Sequence, residues 1–298
     1  MTDQILSLDA VPKADKRKRS SSYWNSVRRR LARDPVTLVC AGILLAILLV
    51  VIFAPMIFPL DPYKTSMIRR LKPPGTPGYL LGTDDLGRDM LSRLIYGGRI
   101  SLFMGFAPVF IATLVGATLG IIAGYAGGAV NMGVMRVMDV FYAFPSVLLA
   151  VAISGALGPG MLNGLIALTL VFIPPVTRVA ESVTTQIRAQ DFVEAARATG
   201  ASATRIVTGH VLSNVAGPIL VYAAGLISVS IIIASGLSFL GLGVAPPTAE
   251  WGLMLSAMRQ AIYVAPVSAI LPGVMIFVVS ICFNMMSDGL RSAMDVRA

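Results

Sequence analysis

The most regular feature of the sequence is a series of long uncharged stretches. Five of them exceed about 20 residues, the length that a helix needs to cross a bilayer, and the third is long enough for two helices around a break at 158–160. Strands of a membrane barrel would be shorter and would alternate between apolar and polar residues. The pattern therefore predicts an all-α integral membrane protein with six transmembrane helices. The predicted spans cover about 36–58, 100–123, 137–157, 161–176, 213–235 and 264–285.

These spans divide the chain into five parts. The first span is Leu, Ile and Val nearly all round, which is typical of a peripheral helix that faces lipid. The parts are a basic N-terminal segment over 1–34, the first transmembrane helix over 35–59, an external loop over 60–99, a five-helix core over 100–287 that includes a cytoplasmic loop over 178–212, and a cytoplasmic tail over 288–298.

The charge pattern indicates the orientation in the membrane. Charged residues make up 13% of the chain, about half the share in an ordinary soluble domain. The net charge is +9, and nine of the 24 Lys and Arg residues precede residue 35, next to the first span. With the amino terminus inside, sixteen basic residues lie inside and eight outside, which favours two cytoplasmic termini. Membrane topology and contact with membrane lipid explain this positive charge, so the charge does not indicate a nucleic-acid partner.

The external loop contains the pattern of an amphipathic helix that begins at Thr83 or Asp84 as N-cap. Its apolar and polar residues fall on opposite faces of the helix, and Asp89 and Arg93 are spaced to form an ion pair. This pattern predicts a helix lying on the outer surface. Its acidic residues lack the spacing of a calcium loop, so capping and surface salt bridges explain them. The apolar stripe is Leu86, Met90, Leu91, Leu94 and Ile95, and the polar face is Asp85, Arg88, Asp89 and Arg93.

Small and polar residues mark the interior of the predicted bundle. Gly116, Gly120 and Gly124 recur at intervals of four in span two, which predicts close approach of a neighbouring helix. Asp139 follows Arg136 by three residues, which predicts a local pair or cap in preference to an ion relay. The outer stretch over 236–248 is rich in Gly and Pro and could fold back toward a pore.

The two cysteines and the single histidine carry no predicted chemistry. Cys40 and Cys282 lie in apolar runs and are expected to be packing residues, with neither a disulfide framework nor a metal site. His210 is expected to be a helix-terminal residue of the cytoplasmic loop.

That cytoplasmic loop has the signals of a helical hairpin. Asp191 followed by Glu194 predicts an N-cap with its acidic partner, and Gly200 ends the first short helix. A second helix from Ser202 carries an apolar side. On these residues alone, the hairpin is equally a capped connector or a docking element. The predicted apolar side consists of Ile206, Val207 and Val211.

Several function classes are disfavoured by what the sequence lacks. It has no phosphate-binding Gly-rich loop ending in Lys and Ser or Thr, so any ATP is expected on another subunit. It has no cluster of acid, base and nucleophile. No ionisable residue falls in the middle of a predicted span, which disfavours an ion-coupled carrier. A membrane scaffold or receptor without a pore remains a second alternative.

The hairpin sequence EAARATG at 194–200 resembles the EAA signature of permease subunits of bacterial ATP-binding-cassette importers. Four further segments resemble the dipeptide, oligopeptide and nickel importer permeases, specifically the second of their two permeases. One position departs from the signature, because Ser213 stands where Pro is usual. The four segments are LGTDDLGRDMLSRLIYGGRISL at 81–102, RVMDVFYAFPSVLLA at 136–150, LSFLGLGVAPPTAEWG at 237–252 and FNMMSDGLRSAMD at 283–295.

The resemblance implies a six-helix, type I, MetI-like permease of the bacterial inner membrane with a cytoplasmic coupling helix. Its partners would be a second homologous permease, two cytoplasmic ATP-binding subunits that hold ATP and magnesium, and an extracytoplasmic solute-binding protein. This chain would hold no cofactor and would form half of a path for small peptides. A nickel chelate, an opine or glutathione are the alternative substrates.

The resemblance also implies site residues. Asp191 would cap the coupling helix, and Trp251 is alternatively a headgroup anchor. The ATPase contact would consist of Glu194, Ala195, Ala196 and Gly200, with Ile206 and Leu212 packing the second helix. The side facing the binding protein would include Asp84, Arg88, Asp89, Leu240 and Trp251.

Overall fold

A computed structural model of the chain describes residues 23–57 and 61–294. The predicted basic tail over 1–22, the end of the first span at 58–60 and the last residues 295–298 lie outside the described residues. The helices are α1 (Tyr23–Leu31), α2 (Pro35–Ile52), α3 (Ala54–Ile57), α4 (Met90–Ala126), α5 (Gly128–Tyr142), α6 (Ser146–Leu157), α7 (Met161–Arg188), α8 (Asp191–Ala198), α9 (Ala203–Ile206), α10 (Leu212–Phe239), α11 (Trp251–Ala257) and α12 (Pro266–Met294).

Among the described residues, five helices are long and apolar enough to cross a membrane. They are α2, α4, α7, the continuous α9–α10 segment and α12. The pair α5 and α6 makes a sixth span if it is counted as one, although it is bent by 84°. The bend falls at Pro145, whose ring disfavours a helical conformation in the residue before it. The prediction of six spans therefore agrees with the upper number.

Several spans are longer than predicted. Span two begins at Met90 instead of residue 100, so α4 has 37 residues and a length of about 55 Å. Span four continues to Arg188, so α7 leads almost directly into the hairpin formed by α8 and α9. Apolar runs mark only the lipid-facing part of a helix, and the polar ends of these helices continue the same backbone hydrogen bonding.

The centre of the bundle is the contact between α4 and α7, and α10 packs against both. Helix α12 lies against α10 and α2, and α1 packs on α12. Only 11% of the residues of α2 are buried, which agrees with its predicted peripheral position. Its N-terminus is capped by Asp34, whose carboxylate accepts hydrogen bonds from the N–H groups of Val36 and Thr37.

The glycine row of α4 lies against the backbone of α7, as predicted. A Cβ atom added at Gly116 would lie 2.9 Å from the carbonyl oxygen of Ile173, and one at Gly124 would lie 2.7 Å from that of Glu181. At Gly120 the added atom would lie 2.6 Å from Ala180 Cβ and would also meet the Thr177 carbonyl. Real Cβ atoms do not approach backbone this closely, so the row sets the distance between the two helices.

Gly120→Ala is therefore expected to destabilise the protein by about 1–3 kcal/mol, the usual cost of overpacking a core. The matched control is Gly133→Ala on α5, where an added Cβ meets nothing within 4 Å. This control is expected to gain about 0.5–1 kcal/mol from helix propensity. Thermal unfolding of both variants in detergent checks the difference, and equal behaviour would contradict the close contact.

Candidate functional site

The hairpin formed by α8 and α9 has its first N-cap one residue before the predicted one. The N-cap of α8 is Gln190, in an extended conformation and without a side-chain capping bond, so the prediction of Asp191 as N-cap is wrong. Asp191 and Glu194 instead lie in the first turn of α8. There their charges interact favourably with the unpaired N–H groups of the helix N-terminus.

The end of α8 is a Schellman motif. The N–H of Ala201 donates to the Ala196 carbonyl at 3.1 Å, and the N–H of Gly200 donates to the Arg197 carbonyl at 2.9 Å. Gly200 has φ +80°, a left-handed conformation that glycine adopts without steric cost. The second helix starts after Ser202, whose hydroxyl accepts a hydrogen bond from the N–H of Arg205. Both of these predicted boundaries are confirmed.

The hairpin is anchored by apolar side chains. Val193, Ile206 and Val211 are buried in one cluster with Val176 and Ala180 of α7. This confirms the predicted apolar side of the second helix. Leu212, which was expected to pack there, is 46% exposed, because it lies at the start of α10 on the side away from this cluster.

The opposite side of the hairpin is exposed in the part of the chain that the structure describes. Glu194, Ala195 and Gly200 are exposed and Ala196 is half-buried. Phe192 is 43% exposed, with its ring centroid 6.4 Å from that of His210. Phe192 was not among the predicted site residues, although an apolar side chain between two acidic residues at a helix start was a signal for it.

At the outer end, the predicted surface helix does not exist as a separate element. Helix α4 starts at Met90 with Asp89 as its N-cap, and the Asp89 carboxylate accepts the N–H and the hydroxyl of Ser92 at 2.8 and 2.6 Å. The predicted caps at Thr83 and Asp84 are therefore wrong. So is the predicted pair of Asp89 with Arg93, since the Asp89 carboxylate is occupied by the cap.

Asp84 instead organises a buried ion cluster. Its Oδ1 accepts the N–H groups of Leu86 and Arg88, each at 2.9 Å, and its Oδ2 accepts Arg88 Nε at 2.6 Å. Arg93 Nε lies 3.2 Å from Asp84 Oδ2, without the geometry of a hydrogen bond, and Arg93 Nη1 donates to the Pro62 carbonyl. The side chains of Asp84, Arg88 and Arg93 are all less than 10% exposed. The predicted polar face is thus largely interior, and its charges hold the outer loop against α4.

Trp251 is also interior. It is 0% exposed, and its indole Nε1 donates to the Leu94 carbonyl at 2.8 Å, so it is not a headgroup anchor. The neighbouring Glu250, missed by the sequence analysis, caps α11 by accepting the N–H groups of Gly252 and Leu253. It also accepts the Ser101 hydroxyl at 3.1 Å. The stretch after α10 therefore folds back into the bundle.

These positions change the predicted outer contact surface. Asp84, Arg88, Asp89 and Trp251 are buried, and their side chains are occupied within the chain. Leu240, at 61% exposure, is the member of the predicted set that lies at the surface. Contact of Leu240 with a binding protein stays a prediction.

A groove runs along one side of the bundle between α10 and α12. It holds a cavity of about 760 Å³ whose lining includes Tyr222, Gly225, Asn284, Asp288 and Arg291. A second cavity of about 250 Å³ shares Tyr222 and lies against the α5–α6 bend. These residues were not predicted as a group, because they are far apart in the sequence and only the packing of α10 on α12 brings them together.

The predicted pairing of Asp139 with Arg136 is wrong. The Asp139 carboxylate accepts a hydrogen bond from Arg178 Nη2 of α7 at 2.6 Å. Arg136 is exposed on α5. Spacing along the chain indicates a local partner, but packing of α5 on α7 brings a cation from 39 residues away.

The described residues form a bundle of spanning helices with a capped hairpin at one end and a groove along one side. An inward-facing crystal form of the MetNI methionine ABC transporter has a chain that matches with a TM-score of 0.57 at 18% identity, covering 68% of this chain and 97% of that chain. An amino acid ABC transporter matches with a TM-score of 0.53 at 17% identity, covering 66% and 92%. These likenesses define the fold alone, and they confirm the predicted MetI-like class.

The chain belongs to the family described as binding-protein-dependent transport system inner membrane component, which matches residues 116–296. Residues 22–74 match the N-terminal TM domain of oligopeptide transport permease C. The chain is thus a transmembrane permease subunit of a binding-protein-dependent, ATP-driven importer.

Curated relatives span nearly the whole chain. The dipeptide transport system permease protein DppC of Alkalihalophilus pseudofirmus is 40% identical over 274 residues, 92% of this chain and 90% of the relative. The di/tripeptide permease protein DppC of Pseudomonas aeruginosa is 42% identical over 262 residues, 85% and 86%. The glutathione permease protein GsiD of Pectobacterium atrosepticum is 38% identical over 273 residues, 91% and 90%.

Proposed function

We propose that this chain is one of two homologous permease subunits of an importer for small peptides, and that it forms half of the translocation path. The observation that carries the proposal is the exposed hairpin, which presents an EAA-type surface on a buried apolar anchor. Relatives at 38–42% identity are named for dipeptides, di/tripeptides and glutathione. Glutathione is itself a peptide derivative, so all of these names describe short peptides.

The groove between α10 and α12 supplies the path. Its larger cavity of about 760 Å³ falls within the usual size of small-molecule sites, about 300–1,000 Å³. The second permease would close the open side of the groove. Tyr222, Asn284 and Asp288 would then line the lumen, with the charged residues toward the hairpin end.

The hairpin would couple this path to ATP hydrolysis. Glu194, Ala195, Ala196 and Gly200 would contact a cytoplasmic ATP-binding subunit, and one such subunit would serve each permease. ATP and magnesium would be held by those subunits. Since Val193 and Ile206 are fixed against α7 and α10, displacement of the hairpin would move both helices with it.

The proposed orientation places the two ends of the bundle on opposite sides of the membrane. The hairpin and both termini would face the cytoplasm at the inner membrane, where basic residues are enriched. The outer loop over 61–89 and Leu240 would face the extracytoplasmic solute-binding protein. Because the ion cluster around Asp84 makes that loop rigid, it would present a fixed surface to this partner.

The substrate is tested with the binding protein of the same transport system. Titration calorimetry with glycyl-leucine, glutathione and a nickel chelate is expected to show the tightest binding for the dipeptide. Unlabelled dipeptide should also compete best for uptake by the whole importer. Binding of the nickel chelate alone would contradict the peptide assignment and leave the importer assignment in place.

A further inference from the structure

Arg178 of α7 makes two contacts with the last turns of α5. Its Nη2 donates to Asp139 Oδ1 at 2.6 Å. Its guanidinium carbon lies 4.3 Å from the centroid of the Tyr142 ring, a distance at which a cation is attracted to an aromatic face. One arginine therefore joins two helices through a charge and a ring.

These contacts lie at the joint between α5 and α6. Helix α5 ends at Tyr142, and α6 leaves at a bend of 84° after Pro145. Tyr142 also lines the 250 Å³ cavity, together with Pro175 of α7 and Tyr222 of α10. The side chain that Arg178 holds is thus part of the proposed path.

The same helix leads to the coupling hairpin. From Arg178, α7 continues without a break to Arg188, a distance of about 15 Å, and α8 begins three residues later. A second contact holds the other end of α5, because Asn131 Nδ2 donates to Glu181 Oε1 at 2.5 Å. Helix α5 is therefore fixed to α7 at both ends, and the joint at 143–145 follows directly after the second of these contacts.

The ion pair has a small expected role in folding. The Arg178 and Asp139 side chains are 46% and 51% exposed in this chain, and pairs of that kind contribute about 0–1 kcal/mol to stability. Three further ion pairs belong to the buried cluster of the loop before α4. A directional contact that contributes little to folding, placed between the hairpin and the path, fits a mechanical role.

We propose that Asp139, Arg178 and Tyr142 form a latch that transmits displacement of the hairpin to the α5–α6 bend and so positions Tyr142 in the path. The inference rests on the proposed function, since it needs an ATP-driven hairpin. Arg178 and Asp139 are positioning residues, and Tyr142 is the group that they place.

The test uses the whole importer with its binding protein in proteoliposomes. Uptake of radiolabelled glycyl-leucine and ATP hydrolysis are measured in the same preparation, and their ratio is the readout. Asp139→Asn and Arg178→Gln are each expected to lower uptake per ATP by about two- to fivefold, the range that an ion pair of this exposure supports. The combined exchange Asp139→Arg with Arg178→Asp restores the charge pair but not the contact of residue 178 with the Tyr142 ring, so it is expected to restore part of the ratio.

Two further variants separate the latch from general charge or packing effects. Arg136→Gln removes an exposed charge three residues from Asp139 and is expected to leave the ratio unchanged. Tyr142→Phe keeps the ring and is expected to stay near the wild-type ratio, whereas Tyr142→Ala lowers it. Size-exclusion profiles of all variants show whether the complex assembles.

The outcomes are distinguishable. An unchanged ratio in both single variants, or an exchange variant no better than the singles, overturns the latch and leaves the proposed function intact. Absence of ATP-driven uptake in the wild-type importer overturns the proposed function and the latch together.

Discussion

Glu194→Lys is expected to abolish most ATP-driven uptake while leaving membrane insertion intact. Glu194 is exposed in the first turn of α8, on the side of the hairpin away from its apolar anchor. Reversal of a central interface charge costs roughly 2 kcal/mol or more, which is more than tenfold in affinity. Lysine would also oppose the positive end of the helix dipole. Uptake and ATP hydrolysis by the reconstituted importer measure the effect.

Gly200→Val is expected to uncouple the hairpin by a different route. Valine is disfavoured at φ +80°, so the Schellman turn would open and the direction of α9 would change. Gly158→Val is the matched control, because Gly158 has φ +85° between α6 and α7 with open space around it. The control introduces the same strain on the other side of the bundle and should transport normally. Normal transport by both Glu194→Lys and Gly200→Val would disprove the coupling assignment.

Asp84→Ala is expected to destabilise the protein by about 3–5 kcal/mol, the usual cost of removing one partner from a buried ion pair. The change leaves the guanidinium groups of Arg88 and Arg93 in the interior with their main counter-charge removed. It also removes the acceptor of two backbone N–H groups. Thermal unfolding in detergent and the yield of assembled protein measure the loss.

The neighbouring Asp85 provides the control. Burial, and then the adjacent charge of Asp84, raise the pKa of Asp85. A carboxyl whose pKa is raised on folding binds its proton more tightly in the folded state. Its contribution to stability therefore falls as the pH rises from its pKa in the unfolded state through its pKa in the folded state. Asp85→Ala is therefore expected to cost nothing at neutral pH. Equal losses for the two variants would contradict the central role of Asp84.

The features that sequence predicted well are those fixed by local physics. Uncharged runs predicted the spans, since unsatisfied backbone groups are too costly in lipid. The glycine spacing in α4 predicted a close helix contact, and Gly200 and Ser202 predicted the turn of the hairpin. Each of these signals depends on a residue and its near neighbours along the chain.

The predictions that were wrong share one physical cause. At the outer loop, helical spacing separates charged from apolar side chains but does not tell a solvated face from a buried ion cluster, so Arg88 and Arg93 were placed outside. Trp251 is satisfied by Leu94, which lies far away in the sequence. Asp139 likewise pairs with Arg178 of α7, 39 residues away in the sequence. Partners of this kind are set by packing, which no local pattern specifies.

The most direct test compares energy sources for uptake by the whole importer in proteoliposomes. Labelled glycyl-leucine and the binding protein are supplied on the outer side, and ATP with magnesium is enclosed at the hairpin side. A permease driven through its hairpin requires the enclosed ATP and the binding protein, and it loses uptake with Glu194→Lys. Uptake that follows an imposed proton or sodium gradient and continues without ATP would identify an ion-coupled carrier and contradict the ATP-driven function.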